Sequence, residues 1–344
     1  VSFGENQFLT SKDELIDLLN TKKEFVNKVL QVESDKKKVI ARLDKIYRLC
    51  TNSQKDINIA FLKALETTLF SEFQSNICSD SNVGVSRVIL SINSEEDIVI
   101  NIIDDKISTV AIKNEVVKPY EDITFIETPL YLQLSHLIET SRTLLDNDNI
   151  NNRFNPRVPL HVKDLINKLG LSRYEKEDNS QFVNFIKDII DGFFDFDKTK
   201  NQYLYVKNNS KPILIQNVAS GIKIFGIIQL LLQVNEINER RFIVIDEPEN
   251  HLHPAWQIKF AHLIVLLVKS GIPVLLSSHS PYFIQAIKVY SQKEDISSLV
   301  NYYLADNDEQ SPGMTNIECV NDELNKVFVK LAEPLNDLMS FPND

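Results

Sequence analysis

The stretch from Arg241 to Ser280, RFIVIDEPENHLHPAWQIKFAHLIVLLVKSGIPVLLSSHS, restricts the fold of this chain more than any other segment. Four apolar residues, Phe242 to Ile245, run into Asp246 and Glu247. Pro254 then opens an amphipathic helix that ends near Ser270, before Gly271. A second apolar run, Pro273 to Leu276, leads into Ser277, Ser278 and His279. Continuous apolar strands joined through a helix predict a parallel sheet buried on both faces. A right-handed crossover makes both strands leave that sheet at the same edge. Asp246, Glu247 and His279 are therefore predicted to meet at the carboxyl ends of parallel strands, where open α/β sheets bind ligands.

An apolar strand ending in Asp-Glu suits ATP hydrolysis on a phosphate-binding core. The aspartate helps to hold Mg²⁺ through its water shell. The glutamate can polarise an attacking water as general base. A histidine from the neighbouring strand can donate to γ-phosphate oxygens or to that water. The plainer alternative is that Asp246 and Glu247 only cap the region before the next helix. Upstream, Asn217-Val218-Ala219-Ser220-Gly221-Ile222-Lys223 precedes a helix carrying Ile224, Ile227, Ile228, Leu231 and Leu232. A Ser-Gly pair at a helix start offers unpaired N–H groups, a hydroxyl and the positive dipole end to an anion. An ordinary serine N-cap is the alternative there.

These residues carry a family resemblance. ASGIK, FIVIDEPENHLHP and VLLSSHSPYF resemble the signature, Walker B and H-loop segments of ABC-type ATPases. The branch is that of the SMC, RecF and overcoming-lysogenization-defect (OLD) proteins. Within it the chain is similar to small bacterial ATPases of the AAA family, of phage defence and of abortive infection. The resemblance is strong from Asn217 to Tyr303, weaker from Val85 to Leu130 and thin elsewhere. It implies an α/β fold, a P-loop NTPase of ABC-ATPase type. The expected parts are a mostly parallel core sheet, an antiparallel β-subdomain and a helical insertion. The expected division is a partial lobe I over 1–128, the helical insertion over 129–200, lobe II over 201–305 and a C-terminal tail or helix over 306–344.

Carried over residue by residue, the resemblance implies that Asp246 supports Mg²⁺, that Glu247 is the catalytic glutamate and that His279 is the switch histidine. Ser220, Gly221 and Lys223 would contact ATP bound by the opposite subunit. Asn250, His251 and His253 fall in the D-loop region, which in the family crosses the dimer interface; the His-Leu-His could equally serve packing or capping. The cofactors implied are ATP and Mg²⁺. The partners implied are a second copy, in a head-to-tail dimer around two ATP molecules, and a separate effector protein.

The phosphate cradle of such an enzyme is not found in the 344 residues. The motif G-x-x-x-x-G-K-[ST] needs a Gly-Lys pair, and none occurs in this sequence. Gly221 and Gly226 have the right spacing, but Ile227 and Ile228 follow them. Gly4 to Ser11 echoes the frame with Leu9 in place of glycine and Thr10 in place of lysine. The expectation is that the Walker A segment lies upstream of Val1. A pseudo-ATPase, or an ATPase completed by another polypeptide, is the alternative.

Further along the chain, Ser11-Lys12-Asp13-Glu14 matches a capping box, and helices are predicted after it, over Lys36 to Leu49 and over Ile57 to Phe73. Val88 to Ile92 and Ile98 to Ile103 predict a hairpin around the polar turn Asn93 to Asp97, with strand structure continuing through Val117. Ile123 to Ile126 reads as a strand, 129–192 as helical apart from a polar segment at 146–159, and 192–215 as a further hairpin.

A net charge of -11 argues against broad nucleic-acid binding by this chain alone, leaving room for a local basic patch. The scattered Cys50, Cys78 and Cys319 lack metal-ligand spacing and fit a reducing cytoplasm. Leu263 to Val268 is too short to span a bilayer. About forty residues follow Leu304, too few for a nuclease domain of the OLD type, and 130–200 is too short and irregular for a heptad arm. Two other chemistries compete. A metal-dependent hydrolase would use Asp246, Glu247, His251 and His253. A serine hydrolase at Ser277 or Ser278 would lack a nucleophile elbow.

Overall fold

The computed structural model describes residues 54–73, 85–92, 95–112, 120–145, 158–173, 180–208, 210–307 and 315–339. The helices predicted before residue 50 and the glycine echo at Gly4 lie outside them. Packing divides the chain into two units, Val1–Val116 and Val117–Asp344.

In the first unit, helix α1 (Gln54–Phe73) and strands β1 (Val85–Ile92), β2 (Glu95–Ile103) and β3 (Lys106–Ile112) are described. The strands form an antiparallel meander in the order β1-β2-β3. The predicted hairpin is present, but its strands reach further into the polar stretch than the sequence suggests. Ile92 pairs with Glu95, and a register shift at Leu90/Ser91 absorbs the odd residue. Leu62, Leu65 and Leu69 of α1 recur at helical spacing and pack on Ile100, Ile102 and Ile107.

The second unit begins with β4 (Asp122–Ile126), expected with the first segment, which pairs in parallel with β8 (Arg241–Asp246). Helices α2 (Leu130–Leu145), α3 (Leu160–Leu171) and α4 (Ser180–Ile190) fill the stretch predicted to be helical. Strands β5 (Gly192–Asp197), β6 (Gln202–Lys207) and β7 (Ile213–Leu214) then form an antiparallel sheet. Helix α5 (Ser220–Gln233) leads to β8, followed by α6 (Pro254–Lys269), β9 (Val274–Ser277) and α7 (Pro281–Lys293). A hairpin, β10 (Tyr303–Asn307) with β11 (Thr315–Cys319), and helix α8 (Asn325–Met339) close the order.

Every residue of α5 from Lys223 to Leu232 is buried, which explains why its sequence is apolar almost all round. It packs on α2, α3, α4 and β5. Gly226 is required there, because a Cβ would stand 2.5 Å from the Phe194 ring. One turn on, the buried Gln229 amide exchanges two 2.9 Å hydrogen bonds with the Phe194 backbone, satisfying the outer edge of β5.

The strand–helix–strand pattern predicted the parallel pair β8 and β9, and β4 joins it to give the order β4-β8-β9. Pro254 opens α6 and Gly271, at φ +86°, ends it in the left-handed conformation that glycine adopts most readily. Among the described residues no strand lies beyond β9, and Leu275 is 54% exposed.

Candidate active site

Parallel pairing sets Asp246 opposite Ser277 and Ile126 opposite Ile245. The three strands therefore end together, and the residues that follow them share one edge. Asp246, Glu247 and His279 meet there as predicted.

Ser277 ties the strand ends. Its hydroxyl donates to Asp246 Oδ1 and accepts the Glu247 N–H at 3.1 Å. Glu247 has φ +44°, an uncommon conformation for a side-chain-bearing residue and one that concentrates at functional sites. Its two carboxylate oxygens are separately held: His279 Nδ1 lies 3.1 Å from Oε1, and Asn250 Nδ2 donates to Oε2 at 2.7 Å. The two side chains remain open to solvent, at 40% for Glu247 and 62% for His279. The pair is thus oriented yet accessible, as a base and its partner must be.

The other loop residues have distinct places. His253 Nδ1 accepts the Ala255 N–H at 3.3 Å, so this histidine caps α6. His251 is exposed, with φ +65°. Glu249, which the sequence reading passed over, is buried, and its Oε1 accepts from the Ser278 hydroxyl and from the His279 and Ser280 N–H groups. The sequence signal for it is a second glutamate in a short acidic loop.

Glu127 was also passed over. It follows β4 at the same edge, and its Oε2 accepts from the Tyr131 hydroxyl at 2.5 Å and lies 3.2 Å from His161 Nε2. The Tyr131 hydrogen bond, with His161 beside it, holds this carboxyl below the ordinary glutamate range despite partial burial.

Helix α5 starts at Ser220 with Ala219 as its cap, so Ser220 is not the N-cap. Ala219 has no side-chain acceptor, and among the described residues the Ser220 and Gly221 N–H groups have none either. A Cβ on Gly221 would lie 3.0 Å from the His251 carbonyl oxygen, so the helix start abuts the acidic loop and needs glycine. Lys223, which the resemblance implies contacts ATP of the opposite subunit, lies inside the chain here. It is 3% exposed, and its ammonium donates to Gln133 Oε1 at 2.5 Å. Burial pushes its pKa down. The apolar surroundings of α5 enclose the stem, and an amide carbonyl from α2 receives the charge.

The geometry also bears on the competing chemistries. Ser277 and Ser278 turn their hydroxyls to Asp246 and Glu249, so neither is set up as a histidine-activated nucleophile. Among the described residues no group of three or more His, Cys, Asp and Glu side chains has metal-binding geometry, and His253 is engaged as a cap. Among the described residues no helix is long and apolar enough to cross a membrane.

Residues 115–285 match the family described as "AAA domain, putative AbiEii toxin, Type IV TA system". The chain is also similar to the SMC head domain from Thermotoga maritima, at 14% identity and a TM-score of 0.34, over 69% of this chain and 73% of that one. A second similar structure is the Smc head domain from Pyrococcus furiosus, with an extended coiled coil and bound to the C-terminal domain of ScpA. There the identity is 11% and the TM-score 0.34, over 70% of this chain and 75% of that one. No curated protein matches the chain.

Proposed function

We propose, from the premise that residues 115–285 belong to the AAA-domain family they match, that this protein is an ATPase working as a nucleotide-dependent switch. The observation that carries the proposal is the meeting of Asp246, Glu247 and His279 at one parallel-sheet edge, with His279 Nδ1 3.1 Å from Glu247 Oε1.

The residues present fit the cofactors. Asp246 and Ser277 offer oxygen ligands only, and Mg²⁺ keeps several waters while binding through one or two carboxylates. Bound Mg-ATP would supply the phosphoanhydride to be cleaved and the charge that offsets its oxygens. Asp246 is assigned to the cation's water shell. Glu247 accepts a proton from a water, its carboxylate oriented by Asn250 and His279. His279 donates toward developing negative charge. Ser220 and Gly221 present open donors to a nucleotide held by a second copy, in the head-to-tail dimer that the family resemblance implies. Asn250 and His251 belong to the face between the copies. The switch acts on a separate effector protein, in the cytoplasm; a role in phage defence rests on family analogy alone.

These 344 residues hold no Gly-Lys pair, so the ATPase reading requires a phosphate cradle that the sequence does not identify. The absence of a Gly-Lys pair equally favours a second reading, a scaffold that keeps the fold without turnover.

The experiment is to measure ATP binding and phosphate release by the protein extended with its native upstream residues. Binding with Glu247-dependent release is expected. Binding without release selects the scaffold, and no ATP binding by the extended protein overturns the ATPase reading.

A further inference from the structure

The acidic loop carries two glutamates with opposite surroundings. Glu247 faces solvent at the sheet edge, whereas the Glu249 side chain is 5% exposed. Glu249 Oε1 accepts three donors at once: the Ser278 hydroxyl at 2.8 Å, the His279 N–H at 2.8 Å and the Ser280 N–H at 3.0 Å. Its Oε2 is out of solvent and has no partner. A half-satisfied buried carboxylate opposes folding unless its remaining bonds do something that an apolar side chain could not. All three donors belong to the loop that carries His279.

We propose that Glu249 is the positioning residue of this site, clamping the backbone of residues 278–280 so that the His279 ring stands against Glu247. Backbone and ring are then held by two carboxylates of one loop, with His279 Nδ1 3.1 Å from Glu247 Oε1 and 3.9 Å from Glu249 Oε1. A second route reinforces the clamp. Ser280 donates its hydroxyl to Gln257 Oε1 at 2.5 Å, and Gln257 Nε2 donates to the Leu252 carbonyl at 3.1 Å. Residues 278–280 are thus tied twice to the loop from Glu247 to Leu252, and α7 starts from the clamped Ser280. Any displacement of the acidic loop is passed to the histidine. The kinetic consequence rests on the ATPase reading, while the clamp itself does not.

The test compares E249A, E249Q, H279A and E249A/H279A in the natural full-length protein, by hydrogen–deuterium exchange and by phosphate release from Mg-ATP. In E249A the His279 and Ser280 amides should exchange at least about tenfold faster, the scale of losing hydrogen bonds to a charged acceptor. The core amides of α6, from Phe260 to Leu267, should keep wild-type rates. H279A should leave the two loop amides slow, because the donors are backbone N–H groups and the acceptor is Glu249. E249Q keeps an acceptor oxygen in the same volume and should restore most of the protection.

In turnover, E249A should lower kcat by about tenfold with KM changed less than about twofold. The double variant should be no slower than H279A, since a clamp acts only through the histidine. Unchanged exchange at residues 279 and 280 in E249A overturns the clamp. Loosening of α6 shared by E249A and E249Q also overturns it, because Glu249 would then be ordinary packing. Faster loop exchange with wild-type kcat overturns the positioning role. If the unmutated protein releases no phosphate, the ATPase reading fails and exchange alone decides the clamp.

Discussion

The two ends of the same parallel strands handle charge in opposite ways. At the amino end, Lys168 is 7% exposed and contacts Asp122 at 2.9 Å and Asp164 at 2.6 Å. It also donates to the Ile123 carbonyl and the Thr124 hydroxyl, each at 3.0 Å. Arg241 pairs with Asp122 and Glu236, and Arg240 with Glu121. Burial alone would raise the Asp122 pKa, but the Lys168 hydrogen bond, helped by the Ile123 N–H and Arg241, leaves it lowered. At the carboxyl end, among the described residues, no lysine or arginine pairs with Asp246, Glu247 or Glu249. Serine hydroxyls, backbone amides, Asn250 and His279 hold these carboxylates instead. Hydroxyl and amide donors fix a carboxylate's direction without cancelling its charge. The amino end is chemistry that closes the fold, and the carboxyl end keeps negative charge available to a ligand.

The largest effect that tests this contrast is at the open end. Glu247→Gln should lower phosphate release by about 10²–10⁴-fold, the range for loss of a general base. ATP-bound dimers should accumulate, visible by size-exclusion chromatography with light scattering. Wild-type turnover and oligomeric state in this variant would remove Glu247 from its assigned role. At the closed end, Lys168→Met takes the lysine from Asp164 and leaves Asp122 with Arg241 alone. Breaking a buried pair costs about 3–5 kcal/mol, but Asp122 and Asp164 are 39% and 45% exposed and can rehydrate, so about 2 kcal/mol is expected. The denaturation midpoint should fall while turnover per folded molecule stays within about twofold. A turnover loss as deep as that of Glu247→Gln would mean the two ends are not separable.

The same contrast explains what was legible in the sequence. Phe242 to Ile245 and Pro273 to Leu276 are apolar runs of strand length, and Pro254 and Gly271 punctuate the helix between them. Local chemistry therefore specified the β8–α6–β9 unit, and parallel pairing brought Asp246, Glu247 and His279 together without further information. Glu249 was not legible because its role depends on residues distant in sequence, and Glu127 was legible at most through Tyr131 four positions on. Glu249 meets Ser278 to Ser280 about thirty positions on, and Glu127 meets His161 thirty-four positions on. The place of Lys223 was not legible for the same reason. Its neighbours Ser220 and Gly221 mark a helix start, but only tertiary packing reveals that Gln133 receives its ammonium. In the network at the amino end only the i,i+4 pair Asp164–Lys168 is a local pattern; that Asp122, from a distant strand, joins it is not readable from spacing.

Two smaller effects probe intermediate cases, a paired carboxylate at the open end and an isolated buried cation. Tyr131→Phe removes the hydroxyl that keeps the Glu127 pKa below 4.5. A lowered folded value means that the stability is complete above the unfolded value and is lost as pH falls through the folded one. The variant should show a shallower loss of stability below pH 4.5, by less than about 1 kcal/mol, since Glu127 is 46% exposed and screened. An unchanged acid limb would contradict this. Lys223 runs the other way. Its folded pKa lies below 10.5, so the unfolded chain binds more protons between those values and stability rises with pH across that window. Lys223→Met should remove that rise, measured as denaturant stability on the alkaline side. It should leave stability near neutrality unchanged or raised by up to about 1 kcal/mol, because a poorly solvated charge gives way to an apolar chain of similar volume. ATP-dependent dimerisation should be unaffected, in contrast to Ser220→Ala, whose hydroxyl stands at the open helix start. A tenfold weakening of dimerisation in Lys223→Met would show that the lysine leaves Gln133 when nucleotide binds, making its buried position the resting half of a moving contact.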